Sequence, residues 1–289
     1  MQVVKPLNFE VLENDFKKED LPFFDENKTY LIDEVVQFEG NIYQNASEEV
    51  DNLAPNLSLK KWVKMKPCNE NAFFDDKVHS ISKNDKKTKI KIKLNENFNT
   101  LAFLNLKASF IKIEDEKGAL IFEKSLLSKK SFSWWEYFFK PFRVEKDEFI
   151  FLPYLMQGVF TITLEKVDEV VELGFLLVGK REFLGVSVYP ANFSYLNYSK
   201  TKTDEWGNTS FSKGRKARYA EFLVSIDKSS FDYFDEKISE LYNEAALFIG
   251  DERQKGFKRL SIYGLLKDYS APLDEYDTIS YKLNIQGLI

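Results

Sequence analysis

The chain has 289 residues, of which 44% are hydrophobic and 30% charged, enough apolar content to bury a core and exclude a disordered chain. Its formal net charge of -5 excludes a generally basic nucleic-acid binder. A single cysteine, Cys68, excludes an internal disulfide framework, and no apolar run approaches the roughly 20 residues that span a bilayer.

The length suits two or three domains. Aromatic residues make up 16% of the chain, led by 27 Phe and 14 Tyr, a bias toward strands and binding surfaces. Residues 1–28 hold two apolar patches, Val3-Val4 and Leu21-Pro22-Phe23-Phe24, separated by charge. This pattern predicts an N-terminal arm that either packs loosely or docks on a neighbouring subunit. Met1 to Phe16 carries Lys5, Glu10, Glu13 and Asp15 and lacks the apolar centre of a signal peptide, so a soluble protein made in a cytoplasm is expected.

Residues 29–66 read as a small three-stranded β module. Val35 to Phe38 and Ile42 to Gln44 flank the tight turn Glu39-Gly40-Asn41, where Gly40 is free to take positive φ. Lys61-Trp62-Val63 supplies the third strand. Tyr30, Tyr43 and Trp62 have two readings: the mini-core of a unit too small for any other core, or rings that stack on sugar. The stretch from Lys61 to Asp76 is the seam between this module and the β body that follows.

Residues 67–185 predict a β-sandwich or jelly-roll domain. Thr88, Ile90, Ile92 and Leu94 alternate with Lys87, Lys89, Lys91 and Lys93, a strand with one apolar and one lysine face. Lysines that protect an edge strand from unwanted pairing are the expected reading, with a phosphate-binding patch as the alternative. A hairpin is expected around Glu114 to Gly118. Trp134 and Trp135 cannot both face the same side of a strand, so one core ring and one exposed, contact-making ring are expected.

Residues 186–289 predict an α+β domain. Asp204-Glu205-Trp206-Gly207-Asn208 forms a hairpin turn, and Tyr219 to Ile226 a strand. Ser229 or Ser230 is the expected cap of a helix whose apolar face is Phe231, Phe234, Ile238, Leu241 and Ala245. Three further strands follow.

Chemistry is harder to find. His79 is the one histidine and has no companion for a metal site or a triad. No glycine-rich phosphate loop occurs among the 12 Gly, and no metal or other cofactor is expected. Glu114, Asp115, Glu116, Asp204 and Glu205 are carboxylates in predicted turns, where local hydrogen bonding explains them better than glycoside hydrolysis.

Two resemblances add to this reading. The order Tyr30, Val36, Gly40, Tyr43, Pro55, Trp62 resembles the small chitin-binding type of carbohydrate-binding module, with Asp33 where such modules usually carry glycine. The blocks Trp62 to Asp75, Ser133 to Pro141, Thr203 to Thr209 with Arg215 and Arg218, and Ile262 to Ser270 with Gly287-Leu288 are similar to tailed-bacteriophage virion proteins. That second resemblance implies a non-enzymatic tail or baseplate component, assembled in the host bacterial cytoplasm and located in the virion. Other phage tail proteins and further copies of itself are the implied partners, with contact to host surface polysaccharide, and without nucleic acid or membrane insertion. It also implies a ring or assembly role for residues 186–289. Carbohydrate-binding residues, on this reading, are Tyr30, Tyr43, Trp62, Trp134 and Trp135. A free carbohydrate-binding protein is the alternative, and a glycan hydrolase the third.

Overall fold

A computed structural model of the chain describes residues 1–47, 53–75, 77–128, 143–144, 146–251, 260–272 and 277–288. The fold is mainly β, with one α-helix near the C-terminus among the described residues. The strands begin with β1 (Gln2–Pro6), β2 (Glu10–Asn14), β3 (Val35–Phe38), β4 (Asn41–Asn45), β5 (Trp62–Pro67), β6 (Ser82–Leu104), β7 (Phe110–Asp115) and β8 (Leu120–Ser125). They continue with β9 (Leu127–Ser128), β10 (Arg143–Val144), β11 (Glu148–Leu173), β12 (Phe175–Phe183), β13 (Val186–Asn197), β14 (Lys200–Thr203), β15 (Thr209–Ser212) and β16 (Lys216–Asp227). Helix α1 (Phe231–Leu241) precedes β17 (Ala245–Ile249), β18 (Ser261–Ser270) and β19 (Thr278–Gly287). A 12-stranded sheet runs β13-β16-β19-β18-β17-β1-β12-β6-β11-β7-β8, with β2 attached to β6.

The β body is built on the β6–β11 ladder. Ile90 faces Ile162 and Ile92 faces Phe160, each pair on the buried side. Register shifts between Phe151 and Gly158 bend this ladder. Side chains from both halves, Ile92 and Leu101 on β6 and Ile150 and Phe160 on β11, therefore share one core with Ile113 of β7 and Leu176 of β12. That arrangement is the expected sandwich. The lysine strand is not an edge, because β6 is paired on both sides. Its charges are met instead: Glu10 and Glu13 of β2 stand opposite Lys93 and Lys91, and Lys87 pairs with Glu165 of β11.

The first residues are also not an arm. β1 lies between β12 and β17, with Val3 buried on one face of the sheet and Val4 on the other. Through β1 the hydrogen bonding passes unbroken from the body into the C-terminal half. There Phe234, Ile238 and Leu241 of α1 pack on the sheet with Phe222, Tyr281 and Leu283. Phe231 is half-buried, and Ala245 already belongs to β17. Ser230 occupies the N-cap position of α1 without a side-chain capping bond, so the expected serine cap is absent. Burial, with Asp235 beside it, pushes the Tyr281 hydroxyl up to about 12.

The module is the separate sheet β3-β4-β5. Its turn has Glu39 at φ 46° and Gly40 at φ 72°, the paired positive values of a type I′ hairpin. Asp33 also lies at positive φ, 66°, which explains why a glycine would suit that position. Its carboxylate accepts a 2.8 Å bond from Gln44 Nε2. The seam fastens module to body through two asparagines. Asn69 Nδ2 donates to the carbonyls of Lys17 (2.7 Å) and Lys83 (2.9 Å), while its Oδ1 accepts from Lys83 N–H (2.8 Å). Asn71 Nδ2 donates to the Gly40 carbonyl at 3.3 Å. Phe73 then inserts fully into the body core, its ring 5.3 Å from that of Phe16.

Candidate functional site

The module aromatics pack on one another. Tyr30 and Tyr43 are each 6% exposed and Trp62 is 1% exposed. The Tyr30 and Trp62 rings meet edge to face at 5.1 Å, and Phe24 stacks on Tyr30 at 5.6 Å. The Tyr30 hydroxyl accepts from Asp25 N–H at 2.7 Å. Burial, then the nearby Glu39 carboxylate, pushes the Tyr43 hydroxyl above its ordinary value. Sugar stacking needs an open ring face. The expectation of Tyr30, Tyr43 and Trp62 as sugar-binding rings is therefore corrected: they form the module's mini-core with Val36. The module's surface exposes Leu31, Leu57, Leu59 and Met65, none of them aromatic. Trp134 and Trp135 lie outside the described residues.

The exposed aromatics gather elsewhere. β14 and β15 form an isolated two-stranded hairpin, every residue of which is exposed. Trp206 at its tip is 87% exposed, and Phe211 on β15 is 67% exposed. Asp204 builds the tip. Its Oδ1 accepts from Asn208 N–H (2.7 Å) and Trp206 N–H (3.0 Å), and its Oδ2 accepts from Asn208 Nδ2 at 3.0 Å. These bonds, led by the Asn208 amide, hold the Asp204 carboxyl below its ordinary range. The base of the hairpin is fixed differently. A Cβ on Gly214 would lie 2.2 Å from the Tyr198 carbonyl carbon and oxygen, so only glycine permits that close crossing. Gly214 N–H donates to Ser199 Oγ at 3.0 Å, and Gln286 Nε2 donates to the Tyr198 hydroxyl at 2.7 Å. The sequence placed the turn, but nothing in it placed Trp206 in solvent.

A groove of about 470 Å³ opens near the hairpin base. It lies where the starts of β11 and β16 meet the end of β19, over Tyr263 of β18. Among the described residues, Lys146, Arg215, Lys216 and Arg218 line it with one acid, Asp147. Arg218 Nη2 donates to Asp147 Oδ2 at 2.6 Å, and Asn105 N–H donates to the other carboxylate oxygen at 3.1 Å. His79 also lines this groove.

The other candidate groups have structural employment. Asp115 Oδ1 accepts from Ala119 N–H (2.7 Å) and Lys117 N–H (2.9 Å), closing the β7–β8 turn. Glu114 pairs with Lys112 at 2.7 Å. Cys68 is buried, and burial pushes its thiol up, away from a reactive thiolate. Among the described residues, no group of three or more His, Cys, Asp or Glu is placed to hold a metal ion.

No protein-family model matches the chain, and no curated protein matches it. Two solved structures share a loose similarity with it. A GH29 fucosidase mutant of Ruminococcus gnavus, in complex with fucose, aligns over 39% of this chain and 22% of its own length, at 13% identity and a TM-score of 0.30. The protein CpGH89CBM32-6, produced by Clostridium perfringens, aligns over 39% of this chain and 85% of its own, at 11% identity and a TM-score of 0.28. The chain thus spans about a fifth of the fucosidase. At these TM-scores neither similarity carries an argument about fold or ligand.

Proposed function

We propose that this chain is a non-enzymatic assembly component of a phage tail or baseplate, joined to further copies of itself by the β14–β15 hairpin. One observation carries the reading: a hairpin with every strand residue exposed holds a tryptophan 87% in solvent at its tip. A lone two-stranded hairpin is marginal in water, and tryptophan is the residue type that most often anchors an interface. The resemblance of Thr203 to Thr209 to tailed-phage virion proteins supports the same role.

Charge indicates what the hairpin would meet. Its exposed Lys200, Lys202 and Lys213 complement Asp232 and Glu236 on the exposed face of α1, beside Tyr233. Hairpin on one copy and helix on the next are different surfaces, so the contact is head-to-tail, and such contacts close into rings when the rotation permits. Light scattering across a concentration series tests this. A discrete oligomer that Trp206→Ala/Phe211→Ala reduces to monomer is expected. A strict monomer at every concentration would favour a free carbohydrate-binding protein instead.

A further inference from the structure

The free edge of the large sheet has no part in the assembly reading. β13 ends that sheet, paired with β16 on one side and with no strand on the other among the described residues. An open edge is a template for another strand, and natural proteins protect it with charge, proline or a bulge. β2, β5 and β8 are likewise paired on one side, and they carry Glu10 and Glu13, Lys64 and Lys66, and Glu123 and Lys124. β13 differs. No charged residue occurs from Phe183 to Ser199, in a chain that is 30% charged. Pro190 and the register shift between Val188 and Asn192 protect only its first half. From Asn192 to Asn197 the pairing with β16 is regular, and it runs on to Tyr198, whose N–H donates to the Arg215 carbonyl at 3.0 Å.

That last bond fixes which groups point outward, because residues along an antiparallel pair alternate between bonded and non-bonded positions. Tyr198, Leu196, Ser194 and Asn192 direct their backbone groups to β16, and Asn197, Tyr195 and Phe193 turn theirs to the open edge. Phe193 and Tyr195 share one face, their rings edge to face at 5.1 Å, and Tyr195 is half exposed. We infer that this edge pairs antiparallel with the same edge of a second copy, across a two-fold axis at Tyr195. The regular segment Asn192 to Tyr198 is centred on that residue, so an axis there pairs all of it. The two Tyr195 rings then meet, and each Phe193 faces an Asn197. A second copy is the occupant because self-pairing across an axis sets side chains near their own kind, which like charges forbid and this uncharged strand permits. The contact is isologous, unlike the head-to-tail hairpin contact, and does not depend on it. So short a segment gives a small interface of the weak, transient class, which is read by trapping and not by mass in dilute solution.

The test uses the full chain carrying Trp206→Ala/Phe211→Ala, so that the hairpin cannot bring copies together. Ser194→Cys sets two thiols about 7 to 8 Å apart across the axis, the spacing of diagonal cross-strand neighbours. The native Cys68 is buried and stays out of the reaction. A short bis-maleimide at submillimolar protein should give a covalent dimer. Tyr154→Cys, at an exposed position of β11, is the control for random collision and should give far less. Tyr195→Pro removes an outward N–H and leaves the bonds to β16 in place, so it should cut the Ser194→Cys dimer by about tenfold or more. Tyr195→Lys, which sets two like charges across the axis, should do the same if the proline variant folds poorly. Three results would overturn the inference: no dimer above the Tyr154→Cys level, undiminished dimer in both Tyr195 variants, or a dimer that forms only once Trp206 and Phe211 are restored. Because the cross-link is read without the hairpin rings, its failure leaves the assembly proposal standing, and the converse holds.

Discussion

Trp62 and Trp206 each belong to a small antiparallel sheet outside the large one, of three strands and of two, yet one is 1% and the other 87% exposed. The module surrounds its tryptophan with Tyr30, Phe24 and Val36, so the ring is the centre of a small core. The β14–β15 hairpin has only two strands and no third layer among the described residues, and its aromatics Trp206 and Phe211 stand in solvent. The number of layers around a ring, more than its residue type, decides whether it stabilises the fold or is left for a partner.

The largest separation between the two comes from truncating each ring. Trp62→Ala should cost about 3 to 5 kcal/mol in the module, because it empties a centre with no neighbouring core to collapse into it. Trp206→Ala should change stability by about 0.5 kcal/mol or less, as surface substitutions do. Chemical denaturation, followed by amide exchange in β3 and β4, measures both. Equal costs would show that the hairpin tip packs on the body after all.

A smaller effect sharpens the module side. Gly40 needs its positive φ, and a Cβ there would lie 2.0 Å from Asn71 Nδ2. Gly40→Ala should cost about 1 to 2 kcal/mol from the backbone alone. It should also loosen the seam, because Asn71 must move and release the Gly40 carbonyl. Faster exchange at Cys68 N–H, which donates to that same carbonyl at 2.9 Å, is the specific sign. Protection unchanged at Cys68 would mean that the seam is held by Asn69 alone.

How much of this was legible in the sequence depends on the range of the determining contact. Thr88 to Leu94 announced its buried face because strand alternation is local. The turns at Gly40 and Gly207 were readable for the same reason, since positive φ is a property of one residue. The α1 face was readable through its spacing. β1 was not, because five residues with Lys5 and Pro6 look like a tail until β12 and β17 close on both sides. The lysine run suggested an edge only because Glu10 and Glu13 are about eighty residues away in sequence. The cationic groove has the same origin: Asp147 and Arg218 are 71 residues apart, and no local pattern joins them. Of the five candidate sugar-binding aromatics, three belong to a core whose small size was itself visible, and that pointed to packing.

The smallest effect concerns the hairpin tip and its dependence on pH. Bonds from the Asn208 side chain and backbone, and from Trp206 N–H, lower the Asp204 carboxyl below its ordinary value. The folded tip therefore binds fewer protons than the unfolded chain in the acidic range. Its contribution is fully present above the ordinary aspartate value and is lost as pH falls through the lowered, folded one. Because Asp204 is exposed, this should not appear in the global unfolding midpoint. It should appear locally: below that pH, Trp206 and Asn208 amides should lose protection from exchange while those of β6 and β11 keep theirs. Asp204→Ala should reproduce the acidic behaviour at neutral pH. If the tip also serves assembly, the oligomer should weaken over the same pH interval, and Asp204→Ala should weaken it at every pH. An oligomer indifferent to both would separate the ordered tip from the contact and leave Phe211 as the anchor to truncate next.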